Sequence, residues 1–140
     1  MPQEFHTTRR IEFSDTDMAG IVHFARFFVF MEGAEHAFLR SLGTSVSAEL
    51  EGNKIGWPRL EASCEFVHPV KSEDELAIRV VVAKMGTKSM TYDFEFTMSG
   101  EPIATGRLKT VCCICNPGEP IRSIPIPAFI ADQIQDVEDH

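Results

Sequence analysis

Between residues 24 and 42 the apolar positions return every three or four residues, at Phe24, Phe27, Phe28, Met31, Ala34, Phe38 and Leu42. Phe30, Ala37 and Leu39 widen that stripe and Gly43 stands where a helix would stop, so the spacing predicts one long, largely buried helix. Gly33 in its interior costs helix propensity and reads as a point of close contact with a neighbouring backbone. After Trp57-Pro58 the period changes to two. Leu60, Ala62, Cys64 and Phe66 alternate with Glu61, Ser63 and Glu65, which predicts a half-buried strand. Further strands are expected over 75–84, 88–98 and 102–115, joined by hairpin-length turns, and a first strand over 8–13 ahead of the helix. Residues 44–56 read as a polar connection with one short helical turn at 46–50, and 128–137 as a terminal helix with a frayed acidic end.

A strand, a long helix and then an antiparallel meander make an α+β domain, one five-stranded antiparallel sheet wrapped around the helix and spanning residues 1–140. Such a sheet has open edges, and pairing with a second copy covers them, so at least a homodimer is expected. Composition adds limits. At 140 residues with 44% hydrophobic side chains the chain can build one core. No apolar run approaches the ~20 residues that cross a bilayer, and residues 1–6 lack the features of a signal peptide, which reads as a cytoplasmic protein. A net charge of −8 argues against nucleic acid as a partner; an anionic ligand would need a local basic patch. Of the four cysteines, Cys112 and Cys115 would face opposite sides of a strand, so the set reads as small buried thiols in a reducing compartment rather than a metal or redox site.

The chemistry concentrates between the first strand and the helix, where Asp15 and Asp17 share a short turn. A helix start has unpaired N–H groups, and a carboxylate beside them can activate water toward, or attack, a carbonyl that those groups polarise. A calcium loop fits Asp15, Asp17 and Gly20 but fails at Ala19 and at Arg26, where a bidentate glutamate is required. Taken alone, such a pair is most often a solvated cap or turn-former. Glu32 and His36 lie four apart and can pair on the helix surface, or Glu32 can support the site.

Phe13-x-Asp15-Thr16-Asp17-x-x-Gly20-Ile21-Val22-x-Phe24, followed by Phe27-Phe28 and Met31-Glu32 with the meander behind, resembles the hotdog-fold acyl-CoA thioesterases of the 4-hydroxybenzoyl-CoA thioesterase type, including the YbgC-like branch. The resemblance implies hydrolysis of an acyl-CoA, or of an acyl group on an acyl carrier protein, to a carboxylic acid and the free thiol. It assigns Asp17 as general base or nucleophile and the backbone N–H of Phe24 as the group that holds the carbonyl. It also implies active sites at a dimer interface, with dimers pairing into homotetramers. Position 24 is Tyr or His in some relatives; here only the Phe24 amide can serve, and the adjacent His23 takes either a polar catalytic role or a structural one. Phe27, often Tyr, makes the pocket more apolar. Gly20 supplies a positive φ or close approach for substrate, and Asp15 fixes the turn through an Asx-type bond. Coenzyme A brings phosphates, for which the turn carrying Lys84, Lys88 and Ser89, with Arg59 and Lys71 behind it, is the candidate; a merely solvated hairpin is the alternative. No metal or redox cofactor is expected, coenzyme A being part of the substrate. The rival class is a non-catalytic protein of the same fold that binds acyl-CoA or an acyl carrier protein.

Overall fold

The computed structural model describes residues 4–134. In chain order the elements are β1 (Glu4–Arg10), a 3-10 turn (Phe13–Asp15), α1 (Arg26–Ser41), β2 (Glu49–Leu50), β3 (Asn53–Gly56), β4 (Arg59–Phe66), β5 (Glu75–Met85), β6 (Ser89–Met98), β7 (Glu101–Val111), β8 (Cys113–Ile114), β9 (Arg122–Ser123) and α2 (Ala128–Ala131). The main sheet has the order β1-β5-β6-β7-β4, antiparallel throughout, and the short strands form a second sheet, β2-β3-β8-β9. The α+β hotdog architecture is therefore present, with a four-stranded annex beside the expected five strands.

From Phe27 onward the stripe read from the sequence is the buried face of α1; Phe24, its first member, lies ahead of the helix and is 62% exposed. Phe27, Phe30, Met31, Ala34, Phe38 and Leu39 are buried in one cluster with Leu76, Ile78, Val80 and Val82 of β5 and Tyr92, Phe94 and Phe96 of β6. Phe27 meets Phe96 edge-on at 5.4 Å and Phe38 meets Tyr92 at 5.9 Å, which locks the helix over the middle of the sheet. The glycine that permits this approach is Gly106 of β7, where an added Cβ would lie 2.3 Å from Met31 Sδ. Gly33 is instead exposed, with nothing within 4 Å of such a Cβ, so the close contact expected there is absent.

Other departures have local causes. β1 ends at Arg10 rather than continuing to residue 13, because the Asp15 carboxylate accepts the Glu12 N–H and curls the chain into the 3-10 turn. Residues 46–50 hold no helical turn. Glu51 and Gly52 both take positive φ (52° and 83°), the backbone of a two-residue hairpin turn, and join β2 to β3. The strand expected over 102–115 breaks at Cys112, whose N–H donates to Lys88 while its carbonyl accepts from Ile124, so β8 crosses to pair with β3. α2 covers only the start of the expected terminal helix, and residues 135–137 of that expectation lie outside the described residues. β4, an edge strand with a neighbour on one side only, leaves Leu60 and Phe66 more than half or half exposed instead of half-buried. Among the described residues no helix is long and apolar enough to cross a membrane.

Candidate active site

The link from the 3-10 turn to α1, residues 16–25, is anchored by Asp15. Its side chain is fully buried and accepts from the Glu12 N–H at 2.9 Å, from Arg26 Nε at 2.8 Å and from Arg9 Nη2 at 3.1 Å. Burial by itself would raise its pKa; the Glu12 N–H and the Arg26 and Arg9 guanidiniums outweigh that and hold the carboxyl below the ordinary aspartate value. Its backbone carbonyl accepts the His23 N–H at 2.9 Å. Asp15 thus ties β1, the turn and the first residue of α1 together. It is structural, as the sequence reading has it, although through two arginines and a preceding amide. The Asx-type bond to a following residue belongs to Asp17 instead.

Asp17 opens a small closed loop. Its N–H donates to the Ile21 carbonyl, its carbonyl accepts from Gly20 at 2.9 Å, and Oδ1 accepts the Ala19 N–H at 2.9 Å. Gly20, at φ +81°, makes that reversal possible and its space is open, so the structure gives it the turn role. Asp17 Oδ2 has no hydrogen-bond partner among the described residues.

At the start of α1 the N–H groups are almost all consumed locally. Ala25 donates to His23 Nδ1, Arg26 to the His23 carbonyl, Phe27 to the Phe24 carbonyl and Phe28 to the Ala25 carbonyl. Among the described residues the Phe24 N–H has no acceptor. His23 is therefore a cap: its ring stacks on Phe24 at 4.8 Å and is absent from the cavity wall. These contacts are those of the structural role.

Asp17 and Phe24 line one cavity of about 410 Å³, together with Phe27, Ile21 and Val22. The opposite wall is the segment 66–70, which the sequence reading missed: Phe66 packs edge-on against Phe27 at 5.3 Å, and the Val22 N–H donates to the Val70 carbonyl at 2.9 Å. The only advance signal was Pro69 ending the strand pattern inside an apolar run. Apart from Asp17 and His68, the lining is hydrophobic.

Of the proposed phosphate residues, Lys71 lies next to the Asp17 cavity, away from the Lys84–Ser89 turn it was expected to stand behind, and the others lie elsewhere. Arg59 is committed to Glu35, a fully buried carboxylate on α1, through contacts of 2.8 and 2.6 Å, and reaches Glu32 at 3.4 Å; it corrects the expectation of a free binding cation, because an unpaired Glu35 in the core would be costly. Glu32 is thereby drawn to Arg59. Lys84 and Ser89 line a separate cleft of about 290 Å³ with Arg107, Lys109 and Glu61, and Lys88 points to Ser123 Oγ at 3.4 Å. That cleft is at the far end of the sheet: from Asp74, near the Asp17 cavity, the extended β5 carries the chain roughly 30 Å to Lys84 at ~3.3 Å per residue. Within one chain the two sites are not brought together. The four cysteines are free thiols, Cys112 and Cys113 buried and Cys64 and Cys115 partly so, and no group of three or more potential ligands converges among the described residues.

Comparison with known proteins agrees with this geometry. The sequence profile of the thioesterase-like superfamily matches residues 11–134. A 1,4-dihydroxy-2-naphthoyl-CoA hydrolase of Nostoc punctiforme is 26% identical over 108 residues, 77% of this chain and 73% of its own. Among solved structures, a gentisyl-coenzyme A thioesterase is 32% identical with a TM-score of 0.78, covering 92% of this chain and 99% of its own. The 4-hydroxybenzoyl-CoA thioesterase of Pseudomonas sp. strain CBS-3 superposes with a TM-score of 0.78 at 23% identity, over 92% and 97%. With the helix-on-sheet fold, the acidic loop at the helix start and this profile across most of its length, the chain belongs to the thioesterase-like superfamily, as a hotdog-fold thioester hydrolase.

Proposed function

We propose that the protein hydrolyses an acyl-CoA to a carboxylic acid and free coenzyme A, with Asp17 as the reacting carboxylate and the Phe24 amide as the electrophilic aid. The observation that carries this reading is that Phe24, whose N–H is unmatched, and Asp17, one of whose oxygens is unbonded, line one largely apolar cavity. Attack on a thioester builds negative charge on its carbonyl oxygen. A single uncommitted N–H at the positive end of a helix, facing a hydrophobic space, stabilises that charge in its developing form. From the other side the Asp17 carboxylate takes the proton of the attacking water, or itself attacks to give a mixed anhydride that water then opens. Both routes release the thiolate and call on no cofactor besides the substrate's own coenzyme A.

The second part of the proposal is the assembly. β4 is an open edge with Leu60, Phe66 and Val67 exposed, which suits antiparallel pairing with β4 of a second copy. Such pairing lays the Phe66 end of one chain, beside its Asp17 cavity, against the Arg59 end of the other, whose outer face carries the Lys84–Ser89 cleft. A pantetheine arm, with the backbone length of four to five residues, reaches roughly 16 Å. It cannot cover the roughly 30 Å within one chain, but it suits a partner's cleft.

Thiol release across a panel of acyl-CoAs tests the reading. Asp17→Asn should keep the fold and the affinity for acyl-CoA while turnover falls by ~10²–10⁴-fold. A fully active Asn variant refutes the assignment, and wild-type binding without any thiol release favours a non-catalytic acyl-CoA or acyl-carrier-protein binder.

A further inference from the structure

Past Ile21 the Asp17 cavity adjoins a second one of about 330 Å³, which shares the His68–Val70 wall and adds Lys71, Asp74 and Met98. The first space is apolar apart from Asp17 and His68; the second is lined by Lys71, which like His68 is exposed. In a chain of net charge −8 the fate of the other cations at this end is informative. Arg9 and Arg26 are bound to Asp15, and Arg10 to Glu75. No described carboxylate lies within ion-pairing distance of the Lys71 ammonium. Asp74 lines the same space, but its Oδ2 accepts the Lys71 backbone N–H at 3.0 Å and so holds the turn that presents the side chain. His68, its own N–H donating to the Ile103 carbonyl, stands on the wall common to both spaces.

We propose that Lys71 and His68 form an oxyanion-accepting subsite that continues the Asp17 cavity and receives an acidic group of the substrate. The proposal rests on the thioesterase reading and narrows its substrate class. The oxyanion has two possible sources: a carboxylate or acidic hydroxyl at the distal end of the acyl group, or a phosphate of the carrier. A hydrogen bond between charged partners, even at an exposed mouth of this kind, contributes enough to discriminate modestly between substrates of equal length.

The test compares kcat/KM for the CoA monothioester of a dicarboxylic acid, the fatty acyl-CoA of the same chain length, and the same two acyl groups carried on N-acetylcysteamine, which has no phosphate. With an acyl-borne anion, Lys71→Met lowers kcat/KM for both acid-ended substrates by roughly 3- to 10-fold, leaves both neutral ones within about twofold, and Lys71→Arg restores most of the loss. With a carrier phosphate, the loss falls equally on both CoA esters and vanishes on both N-acetylcysteamine esters. Lys71→Met and His68→Gln variants that change none of the four values overturn the subsite while leaving thioester hydrolysis intact. If wild type cleaves no thioester, the failure is of the thioesterase reading; calorimetric binding of the dicarboxylic monothioester then decides the subsite, with unchanged affinity in Lys71→Met counting against it.

Discussion

Replacing Asp15 by Asn removes the charge that three elements share. Asp15 is fully buried, whereas the side chains of Arg9 and Arg26 that it holds are 32% and 36% exposed, so the variant leaves two partly hydrated cations and a weakened Glu12 amide contact rather than two fully buried charges. Breaking a buried pair costs ~3–5 kcal/mol, and the partial exposure of both guanidiniums puts this case near ~3 kcal/mol. For a domain of this size that is a fall in Tm of roughly 10 °C. The pH dependence follows from the direction of the pKa. Because the folded carboxyl titrates below its unfolded value of 3.8, its stabilisation is fully present above about pH 5 and is lost as pH falls through the lower, folded value. Urea unfolding of wild type and Asp15→Asn, followed by circular dichroism from pH 7 to pH 2.5, should show a constant gap down to about pH 5 that closes in the acid range. Since the Asp15 carbonyl also receives the His23 N–H, and its carboxylate fixes Arg26, turnover should drop even where the variant is folded. A gap under ~1 kcal/mol at pH 7, or one of constant size to pH 2.5, would refute the buried-clamp argument.

Gly106→Ala should destabilise by ~1–3 kcal/mol, read by thermal unfolding, because the new methyl must displace fully buried Met31 and sits 3.3 Å from the Ser63 carbonyl; Gly33→Ala, in open space on the same helix, should be neutral or stabilising. Tyr92 is completely buried and its hydroxyl has no partner among the described residues, so Tyr92→Phe should leave stability unchanged or raise it by ~1 kcal/mol in the same assay; a marked loss would show that the hydroxyl is bonded. The Cys64 thiol is pushed up to about 11, first by burial and then by the neighbouring Glu65 charge. Its alkylation by iodoacetamide should therefore be slow at pH 8 and keep accelerating beyond pH 10, monitored by mass spectrometry of the labelled peptide.

Much of this protein was written locally. The three-to-four spacing from Phe27 to Leu42 identified the buried face of α1, and period-two alternation placed β4, β5 and β6 within a residue of their observed starts, because each pattern reports how neighbouring side chains share one element's surface. The roles proposed for Asp17 and Phe24 rest on one contiguous stretch, through its family pattern. What lay beyond reach was set by partners far apart in sequence. Gly106 rather than Gly33 admits the helix, since only the sheet register decides which glycine lies beneath Met31. Arg59 reads as a free cation until α1 sets Glu35 against it. His23, for which the sequence left a polar catalytic role and a structural one open, accepts the Ala25 N–H through Nδ1, and the same consumption of amides leaves the Phe24 N–H alone. The wall at 66–70 and the roughly 30 Å separating Asp17's end of the sheet from Lys84 follow from strand order and length, quantities that no short window of residues contains.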